Sequence, residues 1–156
     1  MNKLETQSSD EMSNTAPDAA PGVAGAGRPP TAIEVLIVED DESIAQLLEF
    51  MMRREGYVVQ ICRDGRAAEQ RILEASAPPA LVVMDVMLPY TDGFELIALL
   101  RRQPLWAEVP VLMLSAKSQE HDIVRAIDSG SNGYVVKPFQ PQELMARVRN
   151  LLRRVT

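Results

Sequence analysis

Residues Val82–Gly93 read VVMDVMLPYTDG, and the four apolar residues Leu81–Met84 run straight into Asp85. A short, unbroken apolar run is the pattern of a strand covered on both faces, as in a parallel sheet with helices above and below it. Such a strand ends where the chain leaves the core, and here it ends on a carboxylate. Pro89 and the pair Asp92-Gly93 then mark a turn before the next helical pattern. Asp85 is either a loop residue facing water or the residue on which the site is built.

Working outward, apolar strands alternate with helical patterns from Thr31 onward. Ile33–Val38 predicts a first strand. Ile44, Leu47, Leu48 and Met51 follow at i, i+3, i+4 and i+7, the stripe of an amphipathic helix that Gly56 ends. Tyr57–Ile61 predicts a second strand, placing Cys62 at its end as a small core residue. Arg66–Ala75 predicts a helix with Ala68, Ile72 and Ala75 on one face. Ala80–Met84 is the third strand and Gly93–Arg102 the third helix, closed by Pro104. Val109–Leu114 is the fourth strand, with Pro110 at its start, where a ladder N–H can be spared. Ile123, Ala126 and Ile127 mark a fourth helix ended by Gly130. Tyr134–Val136 is a short fifth strand. Leu144, Val148, Leu151, Leu152 and Val155 stripe a last helix with Pro141 near its start.

This is a βα unit repeated five times. Parallel strands joined by right-handed crossovers leave few topologies. The expectation is an α/β fold with a doubly wound, five-stranded parallel sheet in the flavodoxin-like order 2-1-3-4-5. Residues 1–30 differ sharply: they are rich in Ala, Gly, Pro, Ser and acids and poor in large apolar residues. Such a segment cannot bury enough surface to offset its ordering entropy, so it reads as a disordered tail before a domain at 31–156.

Composition narrows the function classes. A hydrophobic fraction of 46% supports a core, and a formal net charge of -6 argues against direct nucleic-acid binding. The single Cys62 excludes an intrachain disulfide. No run approaches a membrane span and the N-terminus has no apolar signal core, which together predict a cytoplasmic protein.

In an open α/β sheet ligands bind beyond the carboxyl ends of the strands. At those ends stand Glu39-Asp40-Asp41, Asp85, Ser115 and Lys137-Pro138. Asp41 suits the N-cap of the first helix. The remaining acids repel one another and need a cation; hard oxygen ligands suit Mg²⁺. Lys137 and Ser115 supply a positive charge and a hydroxyl for an anion on the far side. Metal, ammonium and hydroxyl together describe a phosphoryl group held over Asp85, a carboxylate placed to act as nucleophile. Met84 and Met87 read as packing, His121 as a solvated surface residue, and Arg101-Arg102 and Arg153-Arg154 as favourable charge at helix C-termini.

Four blocks, VLIVEDD, VVMDVMLPYTDGFEL, VLMLSAK and GYVVKPF, resemble in order and spacing those of a response-regulator receiver domain, the phospho-accepting part of two-component signalling. The resemblance runs from Thr31 to the C-terminus. It implies that Asp85 is the phosphoacceptor and that Glu39, Asp40, Asp85 and the backbone carbonyl of Met87 hold Mg²⁺. It implies that Ser115 and Lys137 meet the phosphoryl oxygens, that Tyr134 is the switch aromatic coupled to Ser115, and that the bond before Pro138 is cis. The implied partners are a sensor histidine kinase or phosphotransfer protein and, through the fourth helix, fifth strand and fifth helix, a downstream protein or output domain. Transcription-factor members carry acids just before the switch aromatic, where this chain has Asn132 and Gly133; Arg147 and Glu143 remain for a phosphorylation-dependent homodimer. Met87 and Lys117 flank the path of the hydrolytic water.

The implied chemistry is a transfer onto the protein itself followed by slow self-hydrolysis, not turnover of a small substrate. Two rivals are weaker. An aspartyl phosphohydrolase wants a second acid close after its nucleophile, and Met87 stands there. A binding module that no longer takes phosphate predicts a missing site residue, and all are present. Dinucleotide binding wants a Gly-rich first turn, and this one is acidic.

Overall fold

The structure, a computed structural model, describes residues 32–154. The segment read as a disordered tail, residues 1–30, and Val155 of the last helical stripe lie outside the described residues. Five strands, β1 (Glu34–Val38), β2 (Val58–Cys62), β3 (Leu81–Asp85), β4 (Val111–Ser115) and β5 (Gly133–Val136), alternate with five helices. The helices are α1 (Glu42–Arg54), α2 (Gly65–Glu74), α3 (Gly93–Arg102), α4 (Glu120–Asp128) and α5 (Pro141–Arg153). All strand pairs are parallel and the order is β2-β1-β3-β4-β5, the doubly wound topology expected.

The alternation of side chains along each strand divides the core in two. Val35, Ile37, Val83, Leu112 and Leu114 face α1 and α5, meeting Leu48, Met52, Leu144, Val148 and Leu151. Leu36, Val38, Val82, Met84 and Met113 face α2, α3 and α4, meeting Ala68, Ile72, Leu96, Ile97, Leu100 and Ala126. Each Leu, Ile or Val fully buried this way contributes about 1.5–3 kcal/mol relative to exposure. All five residues of β3 and of β4 are buried, which is why these two read as apolar runs.

The helix starts after β1, β2 and β3 share one device. Asp41, Asp64 and Asp92 accept hydrogen bonds from the N–H groups of Ile44, Ala67 and Glu95. Asp41 is therefore the cap it was read as. Gly56 and Gly130 follow α1 and α4 with φ of 91° and 102°, the left-handed conformation that ends a helix. Pro110 lies just before β4 and spares its own missing N–H; its carbonyl accepts from Val82 at 3.0 Å.

Several sequence expectations need correction. The buried face of α1 is Ala45, Leu48, Met51 and Met52; Leu47 is exposed and Ile44 only half-buried. A small Ala45 lets the helix approach the sheet, so the true stripe is rotated from the one the larger residues suggested. On α4, Ala126 is buried but Ile127 is 58% exposed and Val124 is exposed. Cys62 is half-buried at the edge of the second core cluster, where burial pushes its thiol pKa up. Met84 packs in the core, whereas the Met87 side chain is exposed.

Arg101 is more than a helix-end charge. Its guanidinium donates to the carbonyls of Val109 at 2.6 Å, Gly130 at 2.8 Å and Ala107 at 3.0 Å, and to Asn132 Oδ1 at 2.9 Å. Asn132 Oδ1 also accepts from Val111 N–H. One side chain thus ties the α3–β4 loop to the α4–β5 loop.

Candidate functional site

The carboxyl edge of the sheet is where four strand ends deliver polar groups from a core that is otherwise apolar. β1 runs out at Val38, and the next residue, Glu39, is still only 1% exposed. β3 ends on Asp85, 6% exposed, and β4 on Ser115, fully buried. The register Asp85↔Leu114 and Ser115↔Val136 places Lys137 one residue beyond the end of β5. Strands in register end together, so residues remote in sequence share one edge.

Glu39, Asp40 and Asp85 each bring one carboxylate oxygen within 4.8 Å of the others. Lys137 Nζ lies 2.7 Å from Glu39 Oε2 and 2.7 Å from Asp85 Oδ2. The second oxygens are also held: Glu39 Oε1 accepts from Asp41 N–H at 3.1 Å, and Asp85 Oδ1 from Met87 N–H at 3.0 Å. Burial raises the Glu39 pKa, and neither the Lys137 bond nor the Asp41 N–H fully offsets it. Burial acts on Lys137 in the opposite sense, but its bonds to Asp85 and Glu39 prevail and its pKa is raised. The edge therefore holds an ammonium between two buried carboxylates, with Asp40 exposed beside them.

Ser115 and Tyr134 are joined elsewhere. Ser115 Oγ accepts from Lys117 N–H at 3.1 Å, and the Tyr134 hydroxyl donates to the Lys117 carbonyl at 2.7 Å. The Tyr134 ring, half-buried, packs against the second core cluster. Of the residues singled out from sequence, Glu39, Asp40, Asp85 and Lys137 form one cluster, and Ser115 and Tyr134 are linked through the backbone of Lys117. That backbone role had no signal in the sequence, because any residue supplies an N–H and a carbonyl. The Lys137–Pro138 bond is cis. His121 is exposed, its Nε2 3.4 Å from Asp122 Oδ1, as befits a surface residue.

The carboxylate cluster fits a hard divalent cation. Two of its members are buried acids that share one ammonium, and a third carboxylate, Asp40, brings an oxygen within 4.8 Å of theirs. Among the described residues, no helix is long and apolar enough to cross a membrane.

Known proteins share this fold. The family model of the response regulator receiver domain matches residues 35–149. The alkaline phosphatase synthesis transcriptional regulatory protein PhoP of Bacillus subtilis is 43% identical over 121 residues, covering 78% of this chain and 49% of that protein. The phosphate regulon transcriptional regulatory protein PhoB of Rhizobium meliloti is 40% identical, covering 78% of this chain and 52% of its own length. The chain thus spans about half the length of the curated relatives it matches. Among solved structures, a putative response regulator from Chloroflexus aurantiacus superposes with a TM-score of 0.73 at 37% identity, covering 79% of this chain and 99% of that one. The receiver domain of a Pseudomonas aeruginosa sensor histidine kinase, solved with a magnesium ion coordinated in its active site cleft, superposes with a TM-score of 0.70 at 29% identity, covering 78% and 98%. With the sheet order, the acidic edge and these matches in agreement, the chain belongs to the response regulator receiver domain family of two-component signalling.

Proposed function

We propose that this receiver takes a phosphoryl group onto Asp85 from the phosphohistidine of a sensor histidine kinase or phosphotransfer protein, and passes the change to its α4-β5-α5 face. The observation that carries the reading is the placement of Asp85. It ends the central strand, sits within 4.8 Å of Glu39 and Asp40 oxygens, and has Lys137 Nζ 2.7 Å from its Oδ2.

In the transfer, an Asp85 carboxylate oxygen attacks phosphorus, the P–N bond to the donor imidazole breaks, and the imidazole leaves with that electron pair. Glu39, Asp40, Asp85 and the Met87 carbonyl would hold Mg²⁺. When bound, the metal supplies charge neutralisation on the transferred oxygens. Lys137 already touches the acceptor oxygen, so its ammonium can exchange a carboxylate for a phosphoryl oxygen with little motion. Ser115 Oγ accepts from the Lys117 N–H and keeps its own proton to donate to a phosphoryl oxygen, and Tyr134 is bonded to the same residue's carbonyl. The β4–α4 turn therefore feels both changes at once, which is how a local charge would shift an existing two-state equilibrium. Hydrolysis of the acyl phosphate at Asp85 resets it.

In this reading the receiver domain occupies residues 31–156, works in the cytoplasm, and acts on a downstream protein or output domain. A dimer through Glu143 and Arg147 requires breaking their mutual pair, 3.1 Å apart on α5. The test is mass spectrometry after exposure to acetyl phosphate, and beryllium fluoride binding, each with Mg²⁺. Wild type should gain one phosphoryl group and Asp85→Asn none. No Mg²⁺-dependent adduct on wild type, or an equal adduct on the variant, overturns the assignment.

A further inference from the structure

The turn that follows Asp85, residues 86–92, carries the Met87 backbone. Val86 and Leu88 pack on the second core cluster, and Thr91 N–H donates to the Pro89 carbonyl at 3.0 Å, but Met87, Pro89 and Tyr90 stand out from the core. Met87 and Tyr90 are exposed, and Tyr90 has a φ of 70°, in the left-handed region that residues with a β-carbon avoid. Such a backbone persists only where its surroundings over-determine it. Here the surroundings are the N-terminal half of α2.

Gly65 N–H donates to the Pro89 carbonyl at 3.0 Å. Gly65 also presses so closely on the turn that a Cβ would run into the Thr91 carbonyl oxygen, a backbone atom that cannot swing aside. The Arg66 guanidinium lies 4.2 Å above the Tyr90 ring centroid. The Thr91 hydroxyl donates to Glu69 Oε2 at 3.1 Å. Pro89, Tyr90 and Thr91 are therefore each held by α2. The far end of the turn closes on β3 itself, with Gly93 N–H on the Val86 carbonyl at 2.9 Å. A Cβ on Gly93 would stand 2.6 Å from the Asp85 carbonyl oxygen, so this end too has no slack.

We propose that Gly65, Arg66 and Glu69 are positioning residues for phosphoryl transfer: the N-terminal half of α2 is a buttress that fixes the turn after Asp85 and, through it, the Met87 backbone. The inference rests on the roles given to Asp85 and Met87 under Proposed function. None of the three touches the reacting groups. They act by keeping the Met87 N–H on Asp85 and the Met87 carbonyl aimed at the metal position, as outer partners orient a metal's direct ligands.

The test compares wild type with Arg66→Met/Thr91→Val, which removes the ring contact and the Thr91–Glu69 bond without touching an acid of the site. Arg66→Lys, which keeps a cation over Tyr90, is the conservative rescue. Arg149→Met, which removes the surface pair to Glu55 at 3.0 Å, is the control. Mg²⁺ affinity is read by amide shifts in an NMR titration, and the order of the turn by amide hydrogen exchange of residues 86–91 in metal-free protein. The double variant should bind Mg²⁺ about tenfold more weakly, the lower end of what outer-partner losses produce. Its turn should exchange faster without metal, and saturating Mg²⁺ should restore most of the acetyl phosphate rate, an effect on apparent affinity rather than on the limiting rate. Arg66→Lys and Arg149→Met should stay near wild type. Unchanged affinity and unchanged exchange in the double variant, or equal losses in Arg149→Met, would overturn the buttress. Gly65→Ala should give a larger effect of the same kind. Failure of wild type to bind Mg²⁺ or accept phosphate would sink the Proposed function instead, while the exchange comparison still decides whether α2 orders the turn.

Discussion

Lys137 Nζ lies 2.7 Å from Asp85 Oδ2 and 2.7 Å from Glu39 Oε2, bridging residues 52 and 98 positions away in the chain. One ammonium from beyond β5 thus compensates two acids from the ends of β3 and β1. On the function proposed above, it is also the group that changes partners when Asp85 is phosphorylated.

Lys137→Met leaves two largely buried carboxylates facing each other. Removing one partner of a buried pair costs about 3–5 kcal/mol, and the low end applies to an edge that water reaches. In metal-free buffer at neutral pH, urea unfolding should show a loss of about 3 kcal/mol relative to wild type. Unchanged stability would mean that the bridge contributes nothing net.

Stability should also fall with pH through Glu39. Its folded pKa is raised above the ordinary 4.5, chiefly by burial, so the folded state holds that proton where the unfolded state has lost it. The contribution is complete below 4.5 and is lost as pH climbs through the raised value. Glu39→Gln removes the titration, so in thermal melts with chelator the wild type should lose ground to the variant across that window. Lys137, also raised, acts with the same sign further up: its contribution is intact below 10.5 and declines as pH passes its folded value. A wild-type–variant difference that stays flat with pH would remove Glu39 as the cause.

Mg²⁺ should stabilise the folded chain by mass action, by about 1.4 kcal/mol at ten times the dissociation constant, and chelator should reverse it. Asp40 is exposed, so Asp40→Asn should leave the metal-free melt almost unchanged while shifting the Mg²⁺ titration to higher concentration. Equal titrations for the two proteins would exclude Asp40 as a ligand.

Arg101→Met should destabilise the domain by about 2–4 kcal/mol, because it strands carbonyls of two loops that the guanidinium satisfies together. Arg101→Lys should recover only part of this, since a single ammonium cannot span acceptors that a planar fork reaches. Urea midpoints of the three proteins decide it; full recovery by lysine would show that charge alone matters.

The strands that positioned the site were legible because β3 and β4 are buried on both faces and leave continuous apolar runs. Their last residues, Asp85 and Ser115, stand out as polar interruptions for the same reason. Helix ends were legible where a local device sets them, as at Asp41, Gly56, Gly130 and Pro141. Helix faces were less so. In α1 Ala45 and Met52 are fully buried while Ile44 is only half-buried against the core and Leu47 is exposed, and Ile127 of α4 is exposed. Hydropathy ranks residues by their liking for burial, but the rotation of a helix on its sheet is set by how closely the backbones approach.

What the sequence alone determined is therefore local: which runs become strands, where helices begin and stop, and which polar residues fall at the strand ends. Only the tertiary structure decided what those groups touch. The distance from Lys137 to Glu39, the joining of Ser115 and Tyr134 through the Lys117 peptide, and the hold of α2 on the turn after Asp85 all depend on elements remote in sequence. Two of the three also run through backbone N–H and carbonyl groups, which every residue type carries and no sequence pattern can mark.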